Sequence, residues 1–401
     1  MGVAVQEAER WIDGLRDPGW LTERRRQAAR LEAALELPRW DRTDISGLDL
    51  AAFGRPEGTV EVALPEEARA RGVICDTIER LAFAQPDLVR RYLERSVPAD
   101  AGKFEARNAA LHQGFLIYVP DGVVLREPIE LTYRLGPAAG GQFHPRTVLG
   151  LGRTAEASVV QRGEGGPQAQ PGALVTAVVE ADLAAGAQLR FVDVQNWGTG
   201  VQVFATRQAD LGRDAHVHWL VGELGGGVVR SGTTTVLREI GSEALSLLAF
   251  FPSGHQHMDL QATLRHLGAR TIGHMLAKGV LSGHARAIYR GTSDIERGAK
   301  DSNSQQRENV LHLTAHVRSD AIPALYINEN QLQAGHAATT GKIDEEQMFY
   351  MASRGLPRRE AERLIVHGFF EPLLQRLPVQ AARERLDELI DRKIDGEPGE
   401  A

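Results

Sequence analysis

His336 is the side chain best placed for chemistry. It stands in the small-residue run Ala334–Gly341, between an apolar strand signal, Pro323–Ile327, and a helix start at Asp344–Gln347. A neutral imidazole is a good ligand for iron, and small neighbours let another surface come close. The spacing predicts a loop at this point. One imidazole does not make a metal site, so the remaining ligands would have to come from another chain. Taken alone, the same spacing also suits a structural histidine capping a turn or a helix. Three other histidine pairs share a parity. His255 with His257 and His216 with His218 are two residues apart and would share a strand face; only Asp259 is a nearby acid, and solvated strand faces are the better reading. His312 and His316 suit a core or interface position. Cys75 is the only cysteine, which excludes an internal disulfide, a CxxC redox pair and a self-sufficient cysteine-ligated cluster. It lies in Val73–Phe83, where the pattern predicts a helix with Cys75 as a small core residue. No GxxxxGK[ST] loop occurs, so the chain is not expected to hydrolyse a nucleotide itself.

The elements that would position these residues fall into three stretches. Residues 1–104 read as a helical domain: Trp11, Leu15, Trp20, Leu21, Ala28, Leu31 and Leu35 recur at helical spacing, and a second run covers about 73–94. Residues 105–335 alternate as strands, for example Phe115–Val119, Thr147–Leu149, Ala187–Val192, His216–Val221, Thr233–Leu237 and Ala285–Tyr289. Gly186, Gly212, Gly241, Gly268 and Gly298 recur at intervals of 26 to 30 residues, the range of a repeat architecture. No single unit could bury its own apolar face, but stacked units would form a continuous core. The expectation is a mainly β fold, a right-handed parallel β-helix; an all-β sandwich with irregular turns is the bland alternative. Residues 336–401 read as helical again. Asp344 and Gln347 form a capping box, Gly355 ends the first helix, Pro357 opens the next, and Pro372 and Pro378 are expected to break it. Glu397–Ala401 reads as a frayed tail.

Composition narrows the function. The chain of 401 residues carries a net charge of −7 without a long basic run, which argues against nucleic acid. No apolar run reaches the length of a membrane span, no signal-peptide pattern opens the chain, and Gln6 breaks the myristoylation pattern after Gly2. The expectation is a cytoplasmic protein without a membrane partner. A β-helix enzyme acting on polysaccharide would need clustered carboxylates on one face, and the acids here are scattered. A homodimeric interaction module stays compatible with the residues taken alone.

Several segments in order carry a family resemblance. Asn108–Gly114, Ile117–Val123, Phe251–Asp259, Lys278–Val280, Tyr289–Gly291, then Ala299, Gln305 and Asn309, and finally 323–369 closing with Gly368 and Phe369, resemble the SufB/SufD family of iron–sulfur cluster assembly scaffolds. The likeness runs over about two thirds of the chain, and Pro38–Thr43 adds a weaker N-terminal match. SufB proteins typically show Glu-His-Glu where this chain has Gly335-His336-Ala337, and they carry functional cysteines; the absence of both is similar to the SufD side of the family. Some SufD proteins have a cysteine where this chain has Ala334, so any thiolate must come from another subunit. The resemblance implies a β-helix core and a non-catalytic scaffold that pairs with SufB through that core. It implies His336 as a shared cluster ligand at the SufB interface, with no cofactor held stably by this chain alone and a transient Fe–S cluster shared with SufB. It further implies that the C-terminal helices dock the ATPase SufC, through which ATP acts. Arg354, Gly355, Arg358, Leu364 and Phe369 are the docking candidates, an apolar anchor (with Ile365 and Phe370) rimmed by Arg358, Arg359 and Arg363. The same aromatics could instead cover the solenoid. In isolation a homodimer is possible.

Overall fold

The computed structural model describes residues 3–168, 172–376 and 379–395. The expectations for Pro378 and for Glu397–Ala401 lie outside these residues. The centre of the chain is a parallel β-solenoid, with helices at both ends of the sequence. Successive strands alternate between two sheets, so each coil gives one strand to each. Among the described residues each sheet stacks eight coil strands in parallel: the first runs from Ile129–Leu135 to Leu332–Lys342, the second from Gln113–Val119 to Arg318–Ile327, with the short strand Gln142–Phe143 also joining the second in parallel.

Pairing is in register from coil to coil, as where Val203, Val229 and Met258 stack along one inward row. Alternate residues therefore point inward in continuous rows. These rows build the largest core, which includes Phe191, Trp219, Phe250, Leu260, Met275 and Tyr289. The sandwich alternative does not apply, because parallel pairing in strict coil order needs a crossover after every strand.

One corner of each coil takes a left-handed backbone. Thr154, Gly186, Asp214, Gly241, Arg270 and Asp301 all have positive φ, between 53° and 74°. Their N–H groups donate to the next coil, as Gly186 to Arg213 O at 2.8 Å and Arg270 to Lys300 O at 2.7 Å. Gly268 serves differently: a Cβ there would lie 2.4 Å from the Glu239 carbonyl carbon. The glycine interval thus reports the coil length, though its members fill two distinct roles.

The helices cover opposite outer faces. N-terminal helices, including Gly19–Ala34, Ile78–Ala84, Pro86–Tyr92 and Lys103–Leu111, lie against the second sheet through Leu116, Val148, Leu174 and Phe204. C-terminal helices Arg358–Leu374 and Gln380–Asp395 lie against the first, where Val366, Phe370, Leu386 and Ile390 meet Val192, Leu220, Leu247 and Val280.

Three local expectations need correction. Ile74–Thr77 is a strand, not the start of a helix, and pairs antiparallel with Phe115–Tyr118; Thr77 then caps the helix Ile78–Ala84. Cys75 therefore belongs to a strand; it is half-buried against the interior core, and burial pushes its thiol up to about 12. Pro372 sits inside the helix Arg358–Leu374. Burying Phe370, Leu373 and Leu374 around it, at about 2 kcal/mol each, outweighs the roughly 3 kcal/mol cost of a helical proline.

Candidate functional site

The last coil closes nothing. Leu332–Lys342 ends the first sheet and Arg318–Ile327 ends the second, and each pairs on one side only. Their inward rows (Ala334, His336, Ala338 and Thr340; Ala321, Pro323, Leu325 and Ile327) consequently line an open mouth. Proline in a sheet is tolerated on such an edge, as Pro323 is here.

His336 is in the strand Leu332–Lys342, not in a loop, and the boundary expected after residue 335 falls within that strand. Alanine and glycine have weak strand preference, but pairing with Ser302–His312 fixes the extended backbone. In register His336 stands over Gln306, whose side chain is buried and donates to Ser293 Oγ at 2.9 Å and Ala324 O at 3.0 Å. Stacked partners share a face, so His336 points into the solenoid axis and is exposed only because no coil follows it. Its side chain has no hydrogen bond or ion pair among the described residues. It caps no helix: that role falls to Asp344, which accepts from Glu346 N at 2.9 Å and Gln347 N at 3.5 Å.

One pair further along the same two strands, Ala338 stands over Glu308. Glu308 is 6% exposed. Across the interior, Tyr289 feels its charge, and burial pushes the carboxyl up to about 8. Sequence reasoning missed Gln306 and Glu308; Gln305 and Asn309, singled out instead, point outward and bond Asn303 and Thr339. The missed signal was parity: from Ser302 to Val310 the even residues face the core, and two of them, Gln306 and Glu308, are large and polar.

Of the other histidines among the described residues, His312 reaches the last coil by a bond to Ser319 Oγ at 2.8 Å. His257 is half-buried and bonds Thr43 Oγ1 at 2.9 Å, so it does not lie on a solvated face as expected. His255 stands at an exposed corner, stacked on His284 at 5.2 Å, which stacks on His316 at 5.0 Å. Among the described residues no group of three His, Cys, Asp or Glu side chains converges to hold a metal ion.

The C-terminal candidates divide. Arg354 caps the helix Glu345–Ser353 with its guanidinium over Tyr350, and Gly355 follows at φ 87°. Arg358 pairs with Glu345 and Glu362. Leu364 is 53% exposed, as are Phe349 and Tyr350 to a greater degree. Phe369 turns toward the solenoid: Lys278 Nζ donates to its carbonyl at 2.6 Å and lies 4.5 Å from its ring centroid.

Two family models match this chain. The core domain of SufBD proteins in SUF-system FeS cluster assembly matches residues 134–369, and the SufBD N-terminal region matches 56–131. The chain belongs to the SufBD family of iron–sulfur cluster assembly proteins. Among curated SufBD relatives, SufD of Bacillus subtilis is 28% identical, with 94% of this chain and 95% of the relative covered. SufB of the same organism is also 28% identical, over 84% of this chain and 72% of its own. A SufBD family protein of Staphylococcus epidermidis is 30% identical with the same coverage.

Several segments that carried the SufBD resemblance turn out to be structural. Asp259 is fully buried; Thr43 Oγ1 donates to it at 2.7 Å and Arg290 Nε at 2.9 Å, while Arg230 stands 3.4 Å away and also covers the Trp40 ring. The N-terminal segment Pro38–Thr43 is thereby clasped to the coils. Asn108 donates to Pro145 O and Thr176 O, and its Oδ1 accepts from Arg146 at 3.0 Å.

Proposed function

We propose that this SufBD protein is the SufD-type scaffold subunit of the cytoplasmic Suf assembly complex, itself non-catalytic. The observation that carries the proposal is the open last coil with His336 directed into its mouth. Two unpaired parallel edges can accept the last strands of a partner built on the same plan, main chain to main chain. SufB is that partner. Stacking its solenoid end on this one places its thiolates beside His336, and an imidazole can replace a thiolate on iron. The cluster is cargo, assembled transiently between the two chains. In isolation the same edges serve a second copy of this chain.

SufC docks on the C-terminal helices, where Phe349, Tyr350 and Leu364 expose apolar surface beside Arg354 and Arg358. Phe369 supports this site from beneath by fixing the helix Arg358–Leu374 to the solenoid. ATP acts through SufC, whose movement is passed to the SufB joint by helices that rest on the first sheet.

The test is His336→Ala in the complex reconstituted with SufB and SufC. Assembly of the complex should be unchanged, while cluster formation, followed by visible absorption, falls to background. Cluster formation at the normal rate would remove His336 from the site.

A further inference from the structure

Six acids among the described residues are buried: Glu180, Asp193, Asp210, Glu223, Asp259 and Glu308. Five are neutralised by arginine. Arg146 holds Glu180, Arg207 holds both Asp193 and Glu223, Arg238 holds Asp210, and Arg290 and Arg230 hold Asp259. Glu308 alone has no hydrogen bond and no ion pair among these residues. Beside it, Gln306 keeps an unpaired buried Oε1. Of the two, only the Gln306 oxygen is sealed from solvent; the Glu308 carboxyl, without a protein partner, keeps contact with the open mouth and is free to take a partner that enters there.

The position of the pair says what the partner is. Glu308 and Gln306 lie one coil below the mouth, under Ala338 and His336. Ala338 is too small to seal the space above Glu308. A strand spacing of about 4.8 Å and two residues of rise put the His336 and Glu308 backbones about 8 Å apart on one face, within joint reach of their side chains. The donors gathered are an imidazole nitrogen, carboxylate oxygens and an amide oxygen, a set suited to a divalent first-row metal ion and lacking any thiolate. Cys75 cannot contribute, since its strand adjoins Gln113–Val119 at the opposite end of the solenoid.

We propose that Glu308 and His336 together form a docking site for a single Fe(II) ion in the solenoid mouth, with Gln306 as a supporting oxygen. The ion would be held before partner sulfur arrives, and its remaining positions fall to water and to partner thiolates. This rests on the reading of His336 given above.

The full-length protein should be titrated with Co(II), a spectroscopic stand-in for Fe(II), following the visible bands, with anaerobic Fe(II) as competitor. One equivalent should bind and be displaced by Fe(II). Glu308→Gln and His336→Ala should each weaken binding at least about tenfold, because even outer-shell partners of metal ligands contribute that much. Circular dichroism and thermal unfolding of Glu308→Gln confirm the fold. The inference is overturned if the wild type binds no Co(II), or if Glu308→Gln binds it as tightly as the wild type. In the latter case, weakened binding by His336→Ala, or loss of cluster assembly in that variant, leaves the scaffold reading standing. Normal cluster assembly by His336→Ala removes that reading by itself.

Discussion

Burial pushes the Glu308 carboxyl from its ordinary 4.5 up to about 8. Between those values the unfolded chain ionises while the folded chain keeps its proton, so this group's contribution to stability falls as pH rises. His266 acts in the opposite sense. Burial pushes its imidazole down to about 4, so its contribution is lost as pH falls below 6.5. Comparing wild type with Glu308→Gln isolates the first effect. The variant should gain little at pH 5 and on the order of 1–3 kcal/mol at pH 8, read as a widening difference in unfolding midpoint. A difference independent of pH would mean that Glu308 is already ionised and solvated in the native state. Neither residue was legible beforehand, because nothing in a string of residues shows which face of a strand will be inside.

At the scale of elements, one charge cluster inside the solenoid is neutralised between the two facing sheets. Arg207, on the strand Val201–Leu211, reaches Asp193 at 2.6 Å and Glu223 at 3.2 Å, on two strands of the other sheet. Arg207→Met strands two buried carboxylates and should destabilise by about 3–5 kcal/mol in urea unfolding. Arg153→Met, which breaks an exposed pair with Asp121, should change stability by less than about 1 kcal/mol. Similar losses for both would contradict the interior placement of the triad. The C-terminal helices make a separate prediction. Leu364→Asp adds a charge on an exposed face and should abolish SufC binding in a pull-down while SufB binding persists. Undiminished SufC capture would move the docking surface elsewhere. Phe369→Ala, by contrast, should loosen the helix from the solenoid and lower its unfolding midpoint.

For the whole molecule, the informative asymmetry lies between the two ends of the solenoid. At one end the antiparallel strands Thr59–Ala63 and Ile74–Thr77 close both sheets. At the other, both sheets stop with free edges, and Tyr326 and Ile327 are 60% and 46% exposed. Free edges and apolar surface coincide at the place where the proposed joint with SufB would form. Ile327→Asp puts a charge into that face without disturbing a packed core. It should abolish association with SufB, measured by size exclusion with light scattering, and shift monomer stability by no more than about 0.5 kcal/mol. An intact complex would exclude end-to-end stacking.

The sequence by itself determined the repeat, the order of helix, solenoid and helix, the Asp344 cap, the Gly355 stop and the motifs of the SufBD family. These are local periods, caps and short strings, and they survive in any one stretch of chain. Tertiary structure decided that the His336 segment is a strand, that its imidazole faces the axis, that Glu308 lies unpaired beneath it, and that Phe369 turns inward while Leu364 turns out. Each of these depends on hydrogen-bond register with a coil some 30 residues away, and Ala and Gly have too little intrinsic preference to set that register from within.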